Sequence, residues 1–233
     1  SRKVALVTGS GGGIGRAIAD KLIAEGANVV FTDISDDFLK EATAAYNTDT
    51  AIACNCDVTN KESIVNALSK ACLQFGGVDI IVHSAGLAIS KPIEETTLAD
   101  WDLLQNVLVK GQFLLAHSFA TIFRKQKLGG NIVNIASKNG LIAGPNNLGY
   151  GTAKAAQLHM SRLLAAEFAP DNVRVNTVNP DGVIVGSKIW KGKWAEGRAK
   201  AYGITVEELP AYYAKRNLLS ASKYRRKFTK LLR

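Results

Sequence analysis

Tyr150 and Lys154 stand four residues apart in the stretch YGTAK, and Ser137 precedes the tyrosine by thirteen residues in NIASKNG. A spacing of four on a helix places the phenol and the ammonium on one face. A phenol titrates near ~10 and is a poor base at neutral pH, and a nearby cation favours its ionised form. A tyrosine and a lysine so placed therefore suit proton transfer to and from a substrate oxygen. Each of them taken singly is an ordinary surface residue.

A second set lies near the start of the chain, in VALVTGSGGGIG at residues 4–15. Val4 to Val7 reads as a buried strand, and the residues after Ile14 have helical periodicity. The glycines thus lie at a strand-to-helix turn, where backbone N–H groups and the positive end of a helix dipole converge and small residues let an anion approach. That is a phosphate site. Asn28 to Asp33, NVVFTD, follows as a second strand ending in a carboxylate, at the distance where a dinucleotide site places its ribose-binding acid. A carboxylate at Asp33 accepts hydrogen bonds from ribose hydroxyls and repels a 2′-phosphate. No Arg or Lys among Ser10, Gly11 and Gly12 offsets it, so the expected cofactor is NAD.

The elements that must position these groups recur along the chain. Strand-like runs at Val4–Val7, Asn28–Thr32, Ala51–Asn55, Ile80–His83, Asn131–Ile135 and Val173–Val178 alternate with helical patterns. Such alternation predicts βαβ units and a doubly wound parallel sheet with helices on both faces, an α/β Rossmann fold. Right-handed crossovers bring the strand C-ends to one edge, where Gly9, Asp33, Asp57, Ala85 and Ser137 each follow a strand. Gly26, and Gly76 with Gly77, mark helix ends.

The 233 residues, 47% of them hydrophobic, suit one domain with a sizeable core. With no long apolar run and a first strand within a few residues of the start, a soluble cytoplasmic protein is expected, with no membrane partner. Cys54, Cys56 and Cys72 read as reduced thiols. The Cys54/Cys56 pair has no second cluster to complete a metal site, so no metal is expected. The net charge of +9 is concentrated in SKYRRKFTKLLR, residues 222–233, which carries six basic residues and no acid. A solvated tail explains this better than nucleic-acid binding, although an RNA-associated role is a separate reading of the same residues.

At this point the sequence resembles the short-chain dehydrogenase/reductase family over residues 3–190. The matching motifs are TGxxxGIG (Thr8, Gly9, Gly13, Ile14, Gly15), Asp57–Val58, HSAG at 83–86 in place of NNAG, Ser137, YxxxK and VNPDG at 178–182. The resemblance implies hydride transfer to a nicotinamide. Tyr150 would be the general base, Ser137 would orient the oxygen, and Lys154 would hold the ribose and lower the tyrosine pKa. Gly9, Gly13, Ile14 and Gly15 would line the pyrophosphate, with Asp57 and Val58 at the adenine. Ala85, Gly86, Tyr150, Lys154 and Pro180 complete the implied cofactor contacts. NPDGVIVGSKIWKGKW and the segment after it further resemble the dehydrogenase half of bifunctional rhamnulose-1-phosphate aldolase/lactaldehyde dehydrogenase proteins. That likeness implies rhamnose catabolism, a lactaldehyde substrate and fusion to an aldolase domain. The start at Ser1 rather than Met fits a piece of a longer chain.

Residues 1–219 are expected to form the dinucleotide-binding domain, with a substrate lid at about 183–217 and a basic tail at 220–233. Trp190, Trp194 and Arg198 are the candidate substrate residues, in a lid whose cations suit a small anion or hydroxylated acid. Three departures from the family pattern stand out. Leu108 occupies the place of an Asn that holds a relay water, and Asn106, about 200° round a helix, faces away. His83 replaces an amide. The last strand and helix are missing after Leu219, which would leave the sixth strand as a sheet edge. The departures motivate an alternative, a non-catalytic dinucleotide-binding module or sensor. A secondary-alcohol, ketone or sugar dehydrogenase is the other. Surplus apolar residues after Tyr150, from Ala153 to Ala165, predict a homodimer.

Overall fold

The computed structural model describes residues 3–183, 190 and 192–216. Asn217 and the basic tail expected at 220–233 lie outside the described residues. Six strands appear at β1 Val4–Thr8, β2 Asn28–Asp33, β3 Ala51–Asn55, β4 Ile80–His83, β5 Gly130–Ile135 and β6 Val173–Val178. Each lies within one residue of its predicted bounds. All pairings are parallel and the order is β3-β2-β1-β4-β5-β6, with β6 at the edge among the described residues. The winding direction reverses between β1 and β4, and the strand ends there open the crevice in which such sheets bind ligands.

The helices are α1 Gly13–Ala24, α2 Asp36–Thr43, α3 Lys61–Phe75, α4 Leu98–Leu104, α5 Gly111–Gln126, α6 Leu148–Phe168, α7 Lys193–Tyr202 and α8 Leu209–Lys215. A π-helical turn, Gln105–Lys110, joins α4 to α5 without a break. Strand alternation divides the apolar residues between two layers. Ala5, Val7, Val29 and Phe31 pack with Ile18 and Leu39 of α1 and α2. Leu6, Val30, Ile81 and Ile132 pack with Phe119 and Phe168 of α5 and α6. Each fully buried large side chain contributes roughly 1.5–3 kcal/mol. Asn60 caps α3 by accepting from the Ser63 N–H at 2.9 Å, and Gly76 ends it at a φ of 85°.

The α5/α6 layer changes character at the top of the sheet. Two residues beyond Leu6, Ile81 and Ile132, on the same face, stand Thr8, His83 and Asn134, all buried. The inward stripe of α6 is likewise polar, with Tyr150, Lys154, Gln157 and Ser161 at spacings of four, three and four, all buried. A polar row on the sheet thus meets a polar stripe on the helix directly behind the crevice.

Candidate active site

One cleft of about 560 Å³ runs along the strand ends from the glycine turn to Tyr150 and the lid. At one end Gly9 adopts a φ of 64°, and a side chain there would stand 2.7 Å from the Ala85 Cα. Only glycine allows β1 and β4 to end so close together. Gly13, Ile14 and Gly15 form the first turn of α1, whose cap residue Gly12 offers no side-chain acceptor, so the leading N–H groups of the helix face the cleft. Neither a side chain nor a carboxylate fills this cradle, and its donors suit a pyrophosphate.

Asp33 ends β2 on the cleft wall. Its two oxygens accept from the Gly11 and Ser35 N–H groups, each at 3.1 Å, which fixes the carboxylate in place. Asp57 also lines the cleft, but its Oδ1 accepts from the Thr59 N–H and hydroxyl, both at 2.8 Å, the bonds of a loop cap. Val58, Ala85, Gly86 and Pro180 all line the cleft too, as does Cys56, which the sequence reading had not included. Burial pushes the Cys56 thiol up to about 11, and Cys54 rises in the same way. Neither is a ready nucleophile.

Ser137, Tyr150 and Lys154 come together at the other end. Ser137 opens the turn Lys138–Gly140, its hydroxyl accepting from the Asn139 N–H at 3.1 Å. Lys154 Nζ donates to the Ile135 carbonyl at 3.0 Å and lies 5.7 Å from the centre of the Tyr150 ring. The electrostatics correct one expectation. Burial pushes the Tyr150 phenol up to about 12, with the neighbouring Ser137 hydroxyl opposing the rise. Burial also brings Lys154 down to about 7. Loss of hydration disfavours both charged forms, and for Tyr150 it is the largest influence.

Leu108 is fully buried beside Tyr150, and Asn106 is exposed on the opposite side, as the helix geometry required. The Leu108 carbonyl accepts from Gln157 Nε2 at 2.7 Å. His83 is a core group. Thr8 Oγ1 accepts the Ser84 and Ala85 N–H groups at 3.1 and 3.0 Å, so its own proton goes to His83 Nδ1 at 3.2 Å and the ring carries its hydrogen on Nε2. Burial, and next the Lys154 charge, lower the imidazole to about 3. Asn134 and Gln112 both donate to the Ser161 hydroxyl, at 2.9 and 3.1 Å. The sequence reading missed this network. Its signal was the polar residues at 157 and 161 continuing the Tyr150–Lys154 spacing.

The lid brings Trp190 and Trp194 onto the cleft. The Trp194 ring lies 5.1 Å from that of Tyr150, and Trp190 meets Trp194 and Tyr213 edge-on at 6.4 and 5.1 Å. Arg198 does not join them. Its guanidinium is buried inside the lid, donating to the Pro145 carbonyl at 2.9 Å and to the Tyr202 hydroxyl, and stacking over the Tyr202 ring. Arg216 also donates to Tyr202 and lies over the rings of Tyr212 and Tyr213. The expectation that lid cations face a small anion is corrected for these two arginines, because tyrosine rings and oxygens already engage them. Lys138 Nζ pairs with Asp181 Oδ1 at 2.7 Å, and Gly182 is packed against the Tyr213 ring.

Residues 3–195 match the short chain dehydrogenase family. The chain is similar to the uncharacterized oxidoreductase YuxG of Bacillus subtilis, at 42% identity over 96% of this chain and 33% of that protein. It thus spans about a third of that relative's length. An NAD-dependent glycerol dehydrogenase of Listeria innocua is 35% identical over 85% of this chain and 78% of its own. Among solved structures, a sorbitol-6-phosphate 2-dehydrogenase of Erwinia amylovora superposes with a TM-score of 0.89 at 25% identity, covering 98% of this chain and 90% of that one.

Proposed function

The chain belongs to the short-chain dehydrogenase family, and from that premise we propose that it is an NAD-dependent oxidoreductase for a small hydroxy compound or a hydrated aldehyde. The observation that carries this reading is a single cleft lined by the glycine cradle, Asp33, Ser137, Tyr150 and Lys154. A bound nicotinamide supplies the hydride acceptor. Tyr150 takes the proton from the substrate hydroxyl, a general-base contribution of roughly 10²–10⁴-fold. Ser137 donates a hydrogen bond that orients the substrate oxygen. Lys154 anchors the nicotinamide ribose, and its charge favours the phenolate once formed. Asp33 accepts from the adenine ribose hydroxyls and opposes a 2′-phosphate. Gly9, Gly13, Ile14 and Gly15 hold the pyrophosphate, while Asp57, Val58, Ala85, Gly86 and Pro180 line the remaining cofactor surface. Trp194 and Trp190 shield the reacting centre from water.

For the substrate we favour lactaldehyde, oxidised as its hydrate to lactate. The hydrate offers a hydroxyl to Tyr150 and a C–H bond for transfer, and no thiol among the described residues stands beside Tyr150 for a thioester route. The greater length of the Bacillus relative leaves room for the aldolase domain that this reading attaches to the full-length protein, with a place in rhamnose breakdown. The exposed side chains of Phe113 on α5 and Leu163 on α6 support a homodimer through these helices. No helix among the described residues is long and apolar enough to cross a membrane, and we assign the protein to the cytoplasm.

The test is NAD reduction followed at 340 nm with lactaldehyde, polyols and secondary alcohols. Turnover with lactaldehyde at a higher kcat/KM than the others is expected. NAD binding without turnover of any compound would instead favour a non-catalytic sensor. Light scattering should give a dimer at micromolar concentration, and a pure monomer would remove the interface.

A further inference from the structure

Gly11 is buried and does not line the cleft, unlike Gly9, Gly12 and Gly13 on either side of it. Its surroundings nevertheless lead there. The Gly11 N–H donates to Asp33 Oδ2 at 3.1 Å, while the Ser35 N–H holds Oδ1 at the same distance. A methyl group built on Gly11 would lie 2.6 Å from the Phe38 Cβ, 2.9 Å from Asp33 Oδ2 and 3.0 Å from Asp33 Cγ. These distances are well inside van der Waals contact, so a side chain there would force a neighbour to move. The turn itself is tied to β2, with the Ser10 N–H donating to the Thr32 carbonyl at 3.0 Å and the Thr32 N–H to Ser10 Oγ at 2.8 Å. The Phe38 Cβ is bonded to the backbone of α2, whose first turn Ser35 caps by accepting from the Phe38 N–H, and it cannot swing aside. The Asp33 backbone is held by the Cys56 N–H, which donates to its carbonyl at 2.9 Å. What can give way is the Asp33 carboxylate, by turning about its own side-chain bonds and leaving the Gly11 N–H.

We propose that Gly11 is a positioning residue for cofactor choice: its bare Cα and its N–H hold the Asp33 carboxylate in the orientation that favours an unphosphorylated adenine ribose over one carrying a 2′-phosphate. The inference rests on the reading of the chain as an NAD-dependent dehydrogenase. An ionised carboxylate has about four lone-pair sites, so one amide bond to each oxygen leaves a place on each for a ribose hydroxyl. Held beforehand by two backbone amides, the carboxylate meets those hydroxyls without losing rotamer freedom. For the same reason it cannot turn away from a 2′-phosphate, and the repulsion is felt at full strength. The charge of Asp33 supplies the preference, and Gly11 supplies its direction.

The experiment measures dissociation constants for NAD and NADP by calorimetry in the native protein, Gly11→Ala, Asp33→Ala and the double variant. Gly11→Ala should weaken NAD about tenfold, as expected for a misdirected charge-assisted hydrogen bond, and NADP less than about threefold, so that the ratio between them narrows. In the Asp33→Ala background the same change at position 11 should leave the ratio where it is, because the group through which Gly11 acts is gone. Asp33→Glu keeps the charge but carries it one methylene beyond the two amides, and should narrow the native ratio about threefold. It tests the hold on the carboxylate without touching the turn, and so serves also if Gly11→Ala does not fold. Gly11→Ala weakening both cofactors equally, or neither, would mean that the residue shapes only the turn, and a native ratio kept in Asp33→Glu would mean that charge decides without position. Either result would overturn the role of Gly11 while leaving the NAD reading intact. A native protein that binds the two cofactors equally would overturn that reading and this inference with it.

Discussion

The glycine-turn end of the cleft is built from backbone, and the lid end from side chains. At the first, the working groups are N–H donors of the glycine turn and one carboxylate, Asp33, which backbone amides of Gly11 and Ser35 hold directly. Each follows immediately from the end of a strand, so its position is inherited from the sheet. At the second, Trp194, Trp190 and Tyr213 are placed by one another's rings, and Asp181 by Lys138. Nothing there is set by a single element. Backbone-held sites tolerate few substitutions but need few partners. A side-chain-held lid can be retuned residue by residue.

Tyr150 lies against Trp194 at the lid end, and its loss should have the largest effect. Tyr150→Phe is expected to lower turnover by at least ~10² while circular dichroism and NAD affinity show the fold retained, since one proton-transfer group is removed. In the native protein, alcohol oxidation should accelerate as pH rises above neutrality, because burial opposes the phenolate. A flat pH–rate profile would mean that Tyr150 is not the base.

At the nucleotide end, NAD should bind at least tenfold tighter than NADP, and Asp33→Ala should close most of that gap. Calorimetry giving equal dissociation constants for the two cofactors in the native protein would remove the argument from charge. At the lid end, Arg198→Met should raise substrate KM about fivefold, because it removes the stacking on Tyr202 within α7 and the lid's tie to the Pro145 carbonyl. Cofactor affinity should change far less, as Arg198 itself does not line the cleft. An equal loss of both would show that the lid and the glycine cradle are coupled.

The smallest expected effect concerns the buried His83. Its folded pKa of about 3 lies below the ordinary 6.5. The unfolded chain therefore binds the extra proton first, and stability falls as pH drops from 6.5 toward 3. His83→Asn should flatten this limb, giving a smaller loss of Tm between pH 7 and pH 5 than in the native protein. An identical acid limb in the variant would place the acid sensitivity elsewhere.

Much of the nucleotide end was legible residue by residue. Strand runs with period-two or continuous burial, glycines at the turn and an acid closing β2 are local signals, and local geometry decides their outcome. The Tyr150–Lys154 pairing was legible for the same reason, since four residues on a helix always share a face. Arg198 was misread although Tyr202 follows it by four residues on α7, because its other partner, Pro145, lies far away in the chain. A cation's spacing along α7 does not say whether a phenol or the cleft receives it. The shift of Tyr150 to higher pKa was likewise hidden, because a sequence shows which charges are near in the chain but not how much water folding removes.

The sequence by itself determined the parallel sheet, the glycine turn and the face shared by Tyr150 and Lys154, for these depend on the hydrophobic period and on residue-level backbone freedom. Tertiary structure alone decided which lid groups reach the cleft, that Asp181 stands in it held by Lys138, and that burial lowers the pKa of Lys154. Those outcomes depend on burial and on contacts between residues distant in the chain, quantities that exist only once the α6 stripe, the sheet edge and the lid have closed on one another.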